Sequence, residues 1–546
     1  MMNNSNLLKY FNLSLLFLSS LITFNLGNLF YISTNGPDFD RYKVYIEYFY
    51  NTLEKTNLEQ GLAYFFVVSL ITNLRNNENY LYINDEFLSN SIQVANFLFY
   101  IIGLVGLYFL LKKLNVNTNI AILSLTALNF FPPMFASRII YKPEIMIFGL
   151  LPWLILFIDN YKDSQNNKYI YISLPLIILI SSSKGTVALI VFLFLILNYY
   201  KIFLKIELNK FFIIFLLLLA FTALVFNENH NANNYYTFQH NQPESYNDKA
   251  DISFAYNINL RDLYSVPFSN YHRDSFISIT LLDTFGDYFN IYWNNDESLF
   301  RSDKKIFFNS RERAYLTLFL SSFFYLSIIY VLSKKIKYKY LLSSPFIGML
   351  TMLGVSLFIQ FNSERGDMVK TYYYSYLLGI SFVFLIAIYL KYIKRNTYKY
   401  ISVFIYILLF LFLVGFPKTS NDLRIELISQ QNNTSILCRL NNNLFGFNSE
   451  CMNSETDICT ETYDKDRRLE ILNGNIEIVN NKEVIKLFDY NSSELVEINN
   501  IDECNNFIKK NKSSFSYSKT PYLNILLLAF PLFYYALEIL FIKKRK

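Results

Sequence analysis

Residues 169–200 read YIYISLPLIILI-SSSKG-TVALIVFLFLILNYY: two apolar runs joined by five residues, with the single charge Lys184 at the joint. A helix needs roughly 20 apolar residues to cross the bilayer core. Each run approaches that length, so the stretch predicts two membrane-crossing helices turning back at one membrane surface. The same pattern recurs on both sides of it. Apolar runs lie at 11–31, 92–111, 117–131, 144–158, 169–183, 186–200, 211–226, 314–332, 341–360, 372–390, 400–416 and 521–542. With 53% hydrophobic and 17% charged residues, this is not the composition of a soluble domain. The expected fold is an all-α polytopic membrane protein with about twelve transmembrane helices. The first run follows only Lys9 and has no small-residue cleavage site, so it reads as a retained anchor.

Lysine and arginine orient the chain. Lys112, Lys113, Lys162, Lys168, Lys201, Lys205, Lys210, Lys334, Lys335, Lys337, Lys339, Lys391, Lys394, Arg395 and Lys399 fall in every second loop, and the chain ends Lys543-Lys544-Arg545-Lys546. Positive loops stay on the cytoplasmic side. The net charge of +6 therefore reports orientation, not nucleic-acid binding. The alternate segments, 32–91, 132–143, 227–313, 361–371 and 417–520, are expected to face outward.

All four cysteines, Cys438, Cys451, Cys459 and Cys504, fall within 417–520. Four cysteines confined to one exported segment predict two disulfides, with the pairing left open. Alternation in 474–479 and 484–488 predicts short strands there, hence a small α+β outward domain. The chain divides into a membrane domain at 1–416, this domain at 417–520, and a last span with a basic tail at 521–546.

The first outward loop holds Gly36-Pro37-Asp38-Phe39-Asp40-Arg41. Gly-Pro marks a turn. Tyr42, Tyr45, Tyr48, Phe49 and Leu53 then recur at helical spacing, predicting an amphipathic helix in the membrane interface. Residues 62–74 predict a second one. A carboxylate at a helix start is most often a cap. The cations of later loops change that weighting. Pro132-Pro133 is followed by Arg138, Lys142, Pro143 and Glu144, and Lys184 lies between the fifth and sixth runs. An unpaired lysine at the bilayer centre costs roughly 2.5–3.5 kcal/mol on insertion scales, so such residues usually have a partner or a task. In the long loop, Asp283 and Asp287 would share one face of a helix beside Tyr288, Tyr292 and Trp293, an arrangement suited to a sugar. His230, His240 and His272 lack metal-ligand spacing. The Tyr372-Tyr373-Tyr374 run reads as an interfacial aromatic belt.

Several features occur here in order: Asp-x-Asp in the first outer loop, interfacial helices after it, Ser137-Arg138 then Lys142-Pro143-Glu144, and the Lys184-Gly185 hairpin. This order resembles the GT-C glycosyltransferases, in particular the protein O-mannosyltransferase and aminoarabinose transferase branch, over roughly residues 1–230. The resemblance implies transfer of a sugar from a polyprenyl-phosphate donor to a lipid, glycan or protein acceptor. The site would face outward from a bacterial inner membrane. It implies Asp38 or Asp40 as catalytic base, with Arg138, Lys142, Glu144 and Lys184 near the donor. Phe39 separates two carboxylates that are often adjacent in that family. Which of them acts, and whether magnesium or manganese bridges them, stays open. Two other readings fit a chain with many spans. A polysaccharide polymerase would centre on later arginines such as Arg261 and Arg273. A flippase or transporter would carry charges near the midplane of its spans.

Overall fold

The computed structural model describes residues 4–30, 33, 39–50, 61–75, 85–203, 250–258, 275–286, 304–334, 338–358, 369–414, 475–479, 482–489, 494–498 and 529–537, with 503, 506, 539 and 540. In chain order the first helices are α1 (Asn4–Phe30), α2 (Phe39–Phe49), α3 (Ala63–Arg75), α4 (Asp85–Lys113), α5 (Thr118–Leu128), α6 (Pro132–Ile139), α7 (Glu144–Ser164), α8 (Lys168–Ser181) and α9 (Gly185–Phe203). Then come α10 (Ser253–Tyr256), α11 (Phe276–Thr284), α12 (Lys304–Leu332), α13 (Lys339–Leu342), α14 (Ser344–Phe358), a 3₁₀ turn at Thr371–Tyr374, α15 (Ser375–Tyr392) and α16 (Asn396–Val414).

Among the described residues, seven helices are long and apolar enough to cross a membrane. The pair α5 and α6, bent by 60°, makes an eighth if taken as one span. The protein is therefore a helical membrane protein. The runs at 169–183 and 341–360 form the shorter apolar helices α8 and α14. The run at 211–226 and half of 521–542 lie outside the described residues. Phe17, Phe319, Phe323, Leu326 and Leu350 are more than half exposed on the outer faces of their helices, as lipid contact requires.

Two expectations change. Residues 132–143 are not a simple loop, because α6 fills 132–139 and is buried throughout. Pro132 and Pro133 occupy its first positions, where a missing N–H costs nothing. The helix α2 does not lie open at an interface. Tyr42, Tyr45, Tyr48 and Phe49 are all buried, and Tyr45 stacks on Phe65 of α3 at 3.8 Å. Rings of this size contribute most when buried against one another. The strands β1 (Asn475–Val479), β2 (Lys482–Asp489) and β3 (Glu494–Ile498) form an antiparallel meander, with Glu477 opposite Val484 and Leu487 opposite Val496. The four cysteines lie outside the described residues.

A polar seam holds α1 in the bundle. Asn12 donates to Asn119 at 3.2 Å and accepts from Tyr400 at 2.7 Å. Asn129 donates to Ser19 at 2.7 Å and to Ser20 at 3.1 Å, and Asn90 donates to Asn28 at 3.1 Å. Apolar helices gain little from burial against each other in lipid, so small residues and hydrogen bonds set their pairing.

The loops sort to opposite ends of the bundle. At one end Lys113 meets Asp163, Tyr338 meets the Leu114 carbonyl, and Tyr340 meets Asp159. At the other end meet the first loop, the 140–143 turn, the 182–184 turn and the 3₁₀ turn. Gly61 N–H donates to the Ser183 carbonyl at 3.2 Å. A Cβ on Gly61 would sit 1.5 Å from the Ser182 carbonyl oxygen, so this approach requires glycine.

Candidate functional site

Four separate segments build the second end. Asn96 of α4 sets two of them. Its amide donates to the carbonyls of Arg138 and Ile140, at 2.9 and 2.8 Å, and its carbonyl accepts from Tyr64 of α3 at 2.8 Å. One asparagine thus fixes the turn that carries Lys142 against α3 of the first outward segment. Lys142 is fully buried, and its ammonium donates to the Tyr372 hydroxyl at 2.9 Å. It also lies 4.6 Å from the Tyr372 ring centre and 5.7 Å from that of Tyr42. A cation over an aromatic face is attracted by the ring quadrupole, more so when desolvated.

Lys184 comes from the turn between α8 and α9. It donates to Glu144 Oε1 at 3.0 Å, lies 4.1 Å from the Tyr373 ring centre, and is 5.9 Å from that of Tyr372. Burial works against its charge. The Glu144 carboxylate, with smaller contributions from Tyr373 and Tyr42, outweighs that, and the ammonium titrates above the ordinary lysine range. Glu144 is fully buried at the first position of α7, where the helix dipole favours an anion. Its second oxygen, Oε2, has no hydrogen-bond partner among the described residues. Burial, then the Glu144 charge, push the Tyr64 phenol well above its usual range. These charged groups lie beside the N-termini of α7 and α9, whose dipoles favour an anion.

The sequence-derived residues divide here. Lys142, Glu144 and Lys184 converge. Arg138 does not join them. Its guanidinium turns back along α6, donating to Thr23 at 2.9 Å, to the Asn129 carbonyl at 2.7 Å and to the Met134 carbonyl at 3.3 Å, over the Tyr100 ring at 4.3 Å. Asn129 caps the C-terminus of α5, whose carbonyls carry partial negative charge. Arg138 therefore clamps the bend between α5 and α6.

Asp283 is buried near the end of α11. Its Oδ2 accepts from the Thr371 N–H at 2.7 Å and the Thr371 hydroxyl at 2.6 Å. The helix stops at Thr284, so Asp287 lies past its end and outside the described residues. Helix α2 begins at Phe39. Asp38 precedes it, Asp40 is in its first turn, and the side chains of both lie outside the described residues. Among the described residues no three His, Cys, Asp or Glu side chains gather as a metal site would need.

Sequence reading missed Tyr372 and Tyr373 as site residues. Tyrosines at the start of a span look like a membrane belt, and no local signal separates the two cases. No family model, curated protein or solved structure matches the chain.

Proposed function

We propose that this protein is an integral-membrane glycosyltransferase that moves a sugar from a polyprenyl-phosphate donor to an acceptor on the outer face of the membrane. One observation carries the reading: Lys142 and Lys184, from separate turns, meet at the same tyrosine, Tyr372, at one end of the bundle. Two cations held there in protein of low polarity suit the phosphate of a lipid-anchored donor.

The chemistry needs little else. The acceptor oxygen attacks the anomeric carbon, the bond from that carbon to the phosphate oxygen breaks, and the lipid phosphate leaves with its electron pair. Lys142 and Lys184 stabilise the charge that grows on that phosphate. Asp38 or Asp40 takes the acceptor proton. Tyr42, on the helix that these aspartates begin, lies 5.7 Å from the Lys142 ammonium, which supports a base close to the cations. Arg138 has no part in this scheme.

The proposal includes the finer architecture: about twelve spans, a disulfide-bonded α+β domain over 417–520, an inner N-terminus, and a site facing the periplasm. The test is transfer from a panel of undecaprenyl-phosphate hexoses and pentoses to acceptors in native membrane vesicles. Wild-type protein should label a membrane-borne acceptor. Asp38→Asn or Asp40→Asn should lower turnover by about 10²–10⁴, the usual loss for a positioned base. Wild-type turnover in both variants would refute the reading.

A further inference from the structure

The tyrosines that bring the two lysines together are themselves held by a residue outside that cluster. Thr371 is the first residue of the 3₁₀ turn that carries Tyr372 and Tyr373. Both of its donors, N–H and hydroxyl, end on one carboxylate oxygen of Asp283, at 2.7 and 2.6 Å. Its hydroxyl also lies 3.2 Å from the Asp283 carbonyl. Asp283 is 4% exposed and Thr371 is 4% exposed, so water does not compete for these bonds. The helix that carries Asp283 is fixed in turn, since Thr284 bonds to Tyr325 of α12 at 2.9 Å. On the far side of the turn, Gly348 of α14 lets Tyr374 approach closely, as a Cβ there would sit 2.6 Å from that of Tyr374.

We infer that Asp283 is a positioning residue: through Thr371 it fixes the turn that sets the Tyr372 hydroxyl on Lys142 and the Tyr373 ring against Lys184. This inference rests on the reading of the two lysines as a phosphate site. The physical argument is one of sparse restraint. A four-residue 3₁₀ turn has weak internal hydrogen bonds and does not hold a register alone. A charged acceptor taking two bonds at its first residue supplies the restraint, since bonds to ionised groups are about twice as strong as neutral ones. Asp283, within the long 227–313 segment, thereby sets the geometry of the lysine cluster through the turn.

The test uses full-length protein in nanodiscs and undecaprenyl phosphate as the probe, with amide exchange over 369–376 as a second readout. Asp283→Ala should speed exchange in that stretch and weaken probe binding about tenfold. Thr371→Val, a milder change that keeps the N–H, should weaken it less, and Thr371→Ser should restore it. The diagnostic measurement is a double-mutant cycle with Tyr372→Phe. If Asp283 acts through Tyr372, its substitution adds little once that hydroxyl is gone, whereas independent effects would add. Additive losses, or unchanged binding in Asp283→Ala beside clear loss in Lys142→Met, overturn the positioning role alone. Failure of the wild-type protein to bind the probe overturns the phosphate reading, and this inference with it.

Discussion

Helix α7 carries a lysine–carboxylate pair at each end, alike in chemistry and distance and unlike in the burial of the carboxylate. At its first residue, Glu144 meets Lys184 at 3.0 Å with side chains 0% and 13% exposed. In its last turn, Asp163 meets Lys113 at 2.9 Å, but the aspartate side chain is 68% exposed. The first pair is shut away from water among tyrosines. The second is open, with Lys113 also donating to Asn160 at 2.6 Å. Equal distances do not make equal interactions. A desolvated charge depends on its partner, whereas a hydrated one does not. The burial at Glu144 calls for an explanation that the pair at Asp163 does not need, and a function supplies one.

The largest expected effect breaks the comparison at its buried side. Glu144→Ala strands the Lys184 ammonium, and removing one partner of a buried pair typically costs about 3–5 kcal/mol. Chemical denaturation in detergent should show it, and a change of a few tenths would mean that the pair is solvated after all. Arg138→Met should come next. It removes three donated bonds together with a buried charge whose desolvation opposed them, for a net loss of about 1.5–3 kcal/mol. Protein that remains folded should still bind undecaprenyl phosphate, because Arg138 faces the α5–α6 bend rather than the lysines. Lost binding with unchanged stability would return Arg138 to the site.

Gly61→Ala tests whether the first loop belongs to the buried end. The added carbon meets the Ser182 carbonyl oxygen, so loop and turn must separate, at about 1–3 kcal/mol for overpacking. Phosphate-probe binding should weaken along with stability; wild-type behaviour would detach the loop from the site. Lys113→Met gives the smallest effect, about 0.2–1 kcal/mol, as for exposed pairs. That loss should vanish in high salt, while the effect of Glu144→Ala should persist.

Much of this was legible in the chain itself. Lys184 stood out as a lone charge between apolar runs, Lys142 and Glu144 as part of an ordered motif, and the fold brings the three together. The long spans followed from apolar length alone. The rest depended on tertiary contacts. Arg138 shares the loop and sign of Lys142, four residues on, yet α6 turns it the other way. Pro132-Pro133 was read as part of a loop, but the pair opens a helix, a position that proline also favours. Asp283 was read as a sugar contact, and nothing in its sequence surroundings announced that its Oδ2 holds the N–H and hydroxyl of Thr371. Tyr42 and Tyr45 were read as interfacial; their periodicity was right, but α3 covers the face that lipid was expected to meet.

The central claim is that the end bearing Glu144, not the end bearing Asp163, receives a lipid-anchored phosphate. Photocrosslinking with a diazirine-bearing polyprenyl phosphate, followed by peptide mapping, tests it directly. The account predicts labelled peptides around Lys142, Lys184 and Tyr372, displaced by excess undecaprenyl phosphate. Labelling concentrated at Lys113, Asp163 and Tyr340, or spread evenly over the lipid-facing helices, would contradict it.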